Sequence, residues 1–106
     1  MRIAVLGGAG AMGREIVREL LANEGNEVFA LDRTVSFFDH QGSDWMGNAG
    51  ARLQWAPADL VDDSAGMVRL LRDAAVLINA TTHHLNLPAM RVALEANCHY
   101  LDLGGL

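Results

Sequence analysis

Apolar positions in this chain follow two alternating rhythms. Five short runs, RIAVL at 2–6, EVFAL at 27–31, RLQWA at 52–56, AVLIN at 75–79 and HYLDL at 99–103, read as strands. RIAVL and AVLIN lack any in–out alternation, which marks strands covered on both faces, as in a parallel sheet. Between the runs the spacing becomes helical. Met12, Ile16, Val17, Leu20 and Leu21 form one stripe, while Arg14, Glu15, Arg18 and Glu19 lie opposite and pair at i,i+3. This predicts an amphipathic helix that ends between Asn23 and Asn26, with Gly25 as its stop.

Asp62 or Asp63 is placed to cap a helix running through Leu71, with Met67, Val68, Leu70 and Leu71 inward and Gly66 weakening it. Asn86 is placed to cap the next helix, which carries Pro88 in its first turn and Met90, Ala93 and Leu94 inward. Asn97 follows where a left-handed residue is wanted. Residues 33–50 are the hardest to read. A crossover helix is required there, but Gly42, Gly47 and Gly50 predict a short or broken one. Strand–helix alternation throughout predicts an α/β, Rossmann-like doubly wound sheet of about five parallel strands, ordered 3-2-1-4-5.

The first turn carries the chemistry. LGGAGAMGRE, residues 6–15, crowds its glycines between a strand and a helix and contains Gly8-x-Gly10-x-x-Gly13. Here Gly8 is expected to allow the tight turn, Gly10 to let a pyrophosphate approach the backbone, and Gly13 to bring the helix close to its strand. The unpaired N–H groups of that helix start, around Ala9, Ala11 and Met12, bind a diphosphate without a cationic side chain. Asp32 follows Gly13 by nineteen residues, at the end of the second strand. A carboxylate at about that spacing accepts hydrogen bonds from the adenosine ribose. Together the two halves of the pattern predict a pyridine dinucleotide.

Asp32 favours NAD, whereas Arg33 beside it can stack on adenine or neutralise the 2′-phosphate of NADP, with Thr34 as an added donor. The balance tips slightly to NADP. Asp59 lies past the third strand, where an adenine rests, and turn or helix-entry chemistry is the stronger of its two readings. Asn79, Ala80 and Thr81 end the fourth strand across the switch point from the glycines, on the cofactor's middle or nicotinamide side.

Composition narrows the partners. Of 106 residues, 51% are hydrophobic and 20% charged, an ordinary globular balance for one domain. Thirteen acidic against eight basic residues, net −5, form no basic stripe and exclude nucleic acid as the expected ligand. No run approaches membrane-spanning length, the four-residue run after Arg2 is too short for a signal core, and the single Cys98 fits a reducing compartment. These features point to a cytoplasmic protein. His83-His84 lack a carboxylate or cysteine at ligand spacing, so no metal site is expected, and no catalytic nucleophile emerges.

VLGGAGAMGREIVREL, LDRT and above all VLINATTHHLNLPAMRVALEANCHYLDLGG resemble the NAD(P)-binding domain of the saccharopine dehydrogenase family. The resemblance covers most of the chain, with a gap at 35–50. It implies pyridine-nucleotide oxidoreductases acting on carbon–nitrogen bonds of amino-acid or polyamine adducts. Gly8, Gly10, Gly13, Asp32 and Arg33 match its cofactor motif, and Asn79 and Ala80 its fourth-strand end. The chain departs from the family's proline pair at Thr82-His83 and from its Ser-Gly-Glu at Gly104-Gly105-Leu106. Hydride transfer needs a second wall to hold the substrate against the nicotinamide. The expectation is therefore the N-terminal cofactor domain of a larger two-domain enzyme, nearly inactive alone, with its substrate held by the second domain and homo-oligomers permitted. A nucleotide-sensing module without catalysis is the alternative on the same fold. A short-chain-reductase reading lacks its Tyr-x-x-x-Lys pair, since the chain has no lysine.

Overall fold

A computed structural model describes residues 1–45 and 49–104, with the side chains of 41–45 excepted. Five strands, β1 (Arg2–Leu6), β2 (Glu27–Asp32), β3 (Leu53–Pro57), β4 (Val76–Asn79) and β5 (His99–Asp102), form one sheet ordered β3-β2-β1-β4-β5. Every pairing is parallel, as the uninterrupted apolar runs require. The order reverses between β1 and β4, so the crevice expected at the switch point opens above Leu6 and Asn79, which are register partners.

Four helices cover the sheet: α1 (Ala11–Leu21), α2 (Ser36–Trp45), α3 (Ser64–Leu71) and α4 (Asn86–Glu95). One core layer joins Val17 and Leu21 of α1 and Phe38 of α2 to Ile3, Val5, Val28 and Ala30. The other joins Met67, Val68 and Leu71 of α3 and Ala89, Val92 and Ala93 of α4 to Ala4, Leu6, Leu31 and Leu77. β1 and β2 thus contribute to both layers with alternate residues, which explains why their sequence shows no polar alternation.

Several local expectations change. The crossover at 33–50 contains a continuous helix, α2, up to Trp45; Gly47 lies outside the described residues. Packing overrides weak propensity here. Phe38 is fully buried, stacks on Trp55 with ring centroids 5.6 Å apart, and Trp55 Nε1 donates to Asp39 at 2.8 Å. Arg52 belongs to a short 3-10 turn (Gly50–Arg52) rather than to β3. Its guanidinium donates to the carbonyls of Leu21, Asn23 and Asn26, adding a long-range tie to the end of α1.

Asp63 caps α3 as expected, accepting from Gly66 N–H at 3.0 Å, and Asn97 is left-handed at φ 61°. Asn86, by contrast, is the first residue of α4 rather than its cap. The inward face of α4 is Ala89, Val92 and Ala93, while Met90 is half-exposed and Leu94 is 82% exposed. The three inward positions share one side of the helix, and Leu94 lies on another. Among the described residues no helix is long and apolar enough to cross a membrane.

Candidate functional site

β1 ends at Leu6, and the chain must reverse at once to lay α1 on the sheet. The left-handed turn falls at Gly7, φ +82°, and not at Gly8 as the spacing suggested. A Cβ on Gly7 would come within 2.9 Å of Thr81 Cγ2 and 3.2 Å of the Ala80 carbonyl. Gly8 serves packing instead, since its Cβ would meet Ala30 Cβ at 2.9 Å. At Gly13 a Cβ would lie 1.9 Å from the Gly7 carbonyl oxygen, so only glycine brings α1 so close to the turn. Gly10 differs. Its nearest obstacle is the Gly7 oxygen at 3.4 Å, and the residue is exposed, so its bare backbone keeps space free rather than filling it.

Amides within the turn are largely committed to the protein. Gly7 and Gly8 N–H donate to the Leu31 carbonyl at 2.7 and 3.1 Å, Gly10 N–H donates to Gly7, and Ala9 N–H donates to the Asp32 carboxylate at 3.1 Å. The donors left for a ligand are those of the first helical turn, Ala11, Met12 and Gly13, which have no intrahelical acceptor. No acidic residue lies in that turn and no side chain caps it among the described residues, so these amides carry the helix's partial positive charge toward a ligand. Met12, read from spacing as part of the buried stripe, is 58% exposed at this helix mouth.

Beyond the turn lies a cavity of about 290 Å³ over the carboxyl ends of the strands. Asp32, Arg33, Asp59 and Asp62 line it together with Gly7 and Thr81, and Leu6, Ala58, Leu60, Val61 and Leu85 provide apolar surface. That volume lies at the lower end for small-molecule sites and suits part of a dinucleotide. Thr34 borders a neighbouring recess with Arg33 and Asp59.

Asp32 reaches the cavity but is already engaged. One oxygen accepts Ala9 N–H and the other accepts Arg33 N–H at 2.8 Å, so the carboxylate also fastens the glycine turn to β2. Arg33 projects into solvent with its side chain 82% exposed and Nε 3.7 Å from Asp59 Oδ2. So loose and exposed a pair contributes little to stability and leaves the guanidinium available. Asp59 Oδ1 accepts Asp62 N–H at 2.9 Å and Val61 N–H at 3.0 Å. The Asp62 amide foremost, then that of Val61 and the Arg33 charge, hold this carboxyl below its usual range despite some desolvation. Asp59 is thus both a turn residue and a cavity wall.

Asn79 lies differently from the expectation. It is 1% exposed, and its carboxamide faces Thr81, Asn86 and Tyr100 rather than the cavity. His83 and His84 are exposed on the short 3-10 turn His83–Leu85, their rings 4.1 Å apart. No cluster of three or more His, Cys, Asp or Glu residues suited to a metal occurs among the described residues. The sequence reading missed Gly7, whose signal was the equally valid Gly7-x-x-Gly10-x-x-Gly13 spacing. It also missed the apolar wall at Ala58, Leu60 and Leu85, for which only the position after a strand end gave any sign.

A doubly wound parallel sheet with a glycine-built, uncapped helix start at its switch point, beside an acidic residue at the end of the next strand and a basic one just past it, defines the class of dinucleotide-binding domains. Within that class the chain belongs to the saccharopine dehydrogenase NADP binding domain family, whose model matches residues 3–105. No curated protein matches it. Among solved structures it is similar to saccharopine dehydrogenase (L-Glu forming) from Saccharomyces cerevisiae, with 19% identity and TM-score 0.77 over 99% of this chain and 22% of that one. It is also similar to AtPrR2 in apo form, with 26% identity and TM-score 0.73 over 95% of this chain and 37% of that one. A third is the UDP-glucuronic acid 4-epimerase of Bacillus cereus in complex with NAD, with 16% identity and TM-score 0.73 over 96% and 39%. The chain therefore spans between about a fifth and two-fifths of the length of these proteins.

Proposed function

We propose that this chain is the cofactor domain of a longer NADP(H)-dependent oxidoreductase acting on a carbon–nitrogen bond of amino-acid or polyamine adducts. The observation that carries the reading is the open start of α1. Gly10 leaves its approach clear, Gly13 seats the helix against Gly7, and the amides of Ala11, Met12 and Gly13 are available to a diphosphate. Asp32, Arg33 and Thr34 then meet the ribose and its 2′-phosphate, with Arg33 supplying the charge. Ala58, Asp59 and Leu60 bound the adenine, and Ala80 and Thr81 form the wall toward the nicotinamide half.

When bound, the nicotinamide supplies the hydride. The residues of this chain orient and enclose; among the described residues the carboxylates at the cavity are Asp32, Asp59 and Asp62, the first two already held by backbone amides. The substrate and its proton-transfer groups are assigned to the remainder of the longer protein. The pinoresinol bound with NADP+ in one AtPrR2 structure belongs to that protein, and the preference for nitrogen adducts here rests on the family alone.

Calorimetric titration of the chain with NADPH and NADH tests the cofactor reading. NADPH is expected to bind more tightly, and Arg33→Ala to erase that difference by weakening NADPH about tenfold. Binding of neither nucleotide overturns the proposal. For the substrate class, the longer protein is expected to turn over NADPH with an imine or to reduce NADP+ with a secondary amine; dinucleotide binding without either reaction rules that class out.

A further inference from the structure

Among the described residues Asn79 is the only buried polar side chain, and every part of its carboxamide is in use. The amide orientation is not ambiguous. Its Oδ1 accepts Thr81 N–H at 3.0 Å, and a backbone amide can only donate, so Nδ2 must face the other way. Thr81 Oγ1 donates to the same oxygen. Nδ2 donates to Asn86 Oδ1 at 2.9 Å, and the Tyr100 hydroxyl donates to that same Asn86 oxygen at 3.1 Å. The Tyr100 hydroxyl also lies 3.5 Å from Nδ2, closing a triangle between β4, α4 and β5. This explains why Asn86 caps nothing: its side chain turns inward to the triangle.

Thr81 lies at the other end of this network. It lines the cavity together with Asp32 and Arg33, and its methyl group stands against Gly7 at the site of the left-handed turn. Ala80 N–H is tied to the Leu6 carbonyl at 2.8 Å, so the backbone before Thr81 is fixed and its side chain is aimed by Asn79. We propose that Asn79 is a positioning residue for dinucleotide binding, setting the wall at Thr81 against the glycine turn, with Tyr100 and Asn86 locking it from outside the cavity. The proposal rests on the function proposed above. It replaces direct contact between Asn79 and the nucleotide with action through Thr81.

Tyr100→Phe removes one hydroxyl on a residue that does not line the cavity and keeps its packing. Val92→Ala, a core truncation on the inner face of α4, serves as a control for lost stability alone. By titration at 25 °C, Tyr100→Phe is expected to bind NADPH about three- to tenfold more weakly, the range that loss of one hydrogen bond supports. Val92→Ala is expected to keep wild-type affinity although its unfolding midpoint falls. In the ligand-free Asn79→Ala variant, hydrogen exchange at the Thr81 amide is expected to quicken at least tenfold.

Wild-type affinity in Tyr100→Phe, an equal loss in Val92→Ala, or unchanged Thr81 exchange in Asn79→Ala each overturns the positioning role. If Asn79→Ala does not fold, the comparison of the other two variants decides. If wild-type protein binds neither NADPH nor NADH, the cofactor reading itself has failed. Binding by wild type with no effect in Tyr100→Phe removes only the role of Asn79.

Discussion

At the scale of single residues, the glycines divide by what a methyl group would strike. Gly13→Ala would drive a Cβ into the Gly7 carbonyl, a backbone atom that cannot move without reopening the turn. We expect it to destabilise the domain by about 1–3 kcal/mol and to abolish nucleotide binding. Gly10→Ala meets only the Gly7 oxygen at 3.4 Å, so it should fold normally yet lose affinity, because its methyl group occupies space left for the ligand. Thermal unfolding and titration on the same two variants separate packing from binding. Asp32 combines two roles that substitutions can separate. Asp32→Asn keeps an acceptor for Ala9 N–H while removing the charge that opposes a 2′-phosphate, so the preference for NADPH over NADH should rise. Asp32→Ala releases the turn as well and should weaken both; equal behaviour of the two variants would remove the tether from the account.

At the scale of elements, the helices differ in how they are held. α3 has a local stop and start, with Asp63 as its cap, and Asp63→Ala should cost about 0.5–2 kcal/mol. α2 has poor intrinsic propensity and depends on Phe38, which packs on the sheet and stacks on Trp55 of β3. Phe38→Ala is therefore expected to cost about 3–5 kcal/mol in chemical denaturation. A loss below 1 kcal/mol would show that α2 stands without this anchor. The contrast explains which elements were legible. α1 announces itself through periodicity and α3 through periodicity and a cap three residues apart, whereas α2 and the diverted Asn86 depend on partners 14 to 17 positions away, Tyr100 and Trp55.

At the scale of the whole molecule, titration brackets the stable range. Asp59 has its pKa lowered on folding, so its contribution is present above the ordinary carboxylate range and is lost as pH falls below about 4. Burial foremost raises both the Cys98 thiol and the Tyr100 phenol, and both are neutral when protonated. Their contribution is complete below their ordinary ranges and declines as pH rises past about 8.5 and 10, respectively. Unfolding midpoints measured from pH 3 to 11 should form a plateau with both limbs. Asp59→Asn should flatten the acid limb and Tyr100→Phe the alkaline one; unaltered limbs would place the responsible groups elsewhere.

Strand order, sheet direction and the position of the switch point were determined by the sequence alone. Each follows from short-range facts: uninterrupted apolar runs, helical spacing between them, and the near-obligatory right-handed crossover. Asp32 and the glycine run were readable for the same reason, since a strand end and a helix start are local features. Only the tertiary structure decided that Gly7 makes the turn, that Asp32 also tethers it, and that Asn79 turns away from the crevice to hold Thr81. Those outcomes depend on which atoms meet across β1, β2, β4, α4 and β5, and such meetings are set by packing in three dimensions, where residues far apart in the chain compete for the same hydrogen bonds.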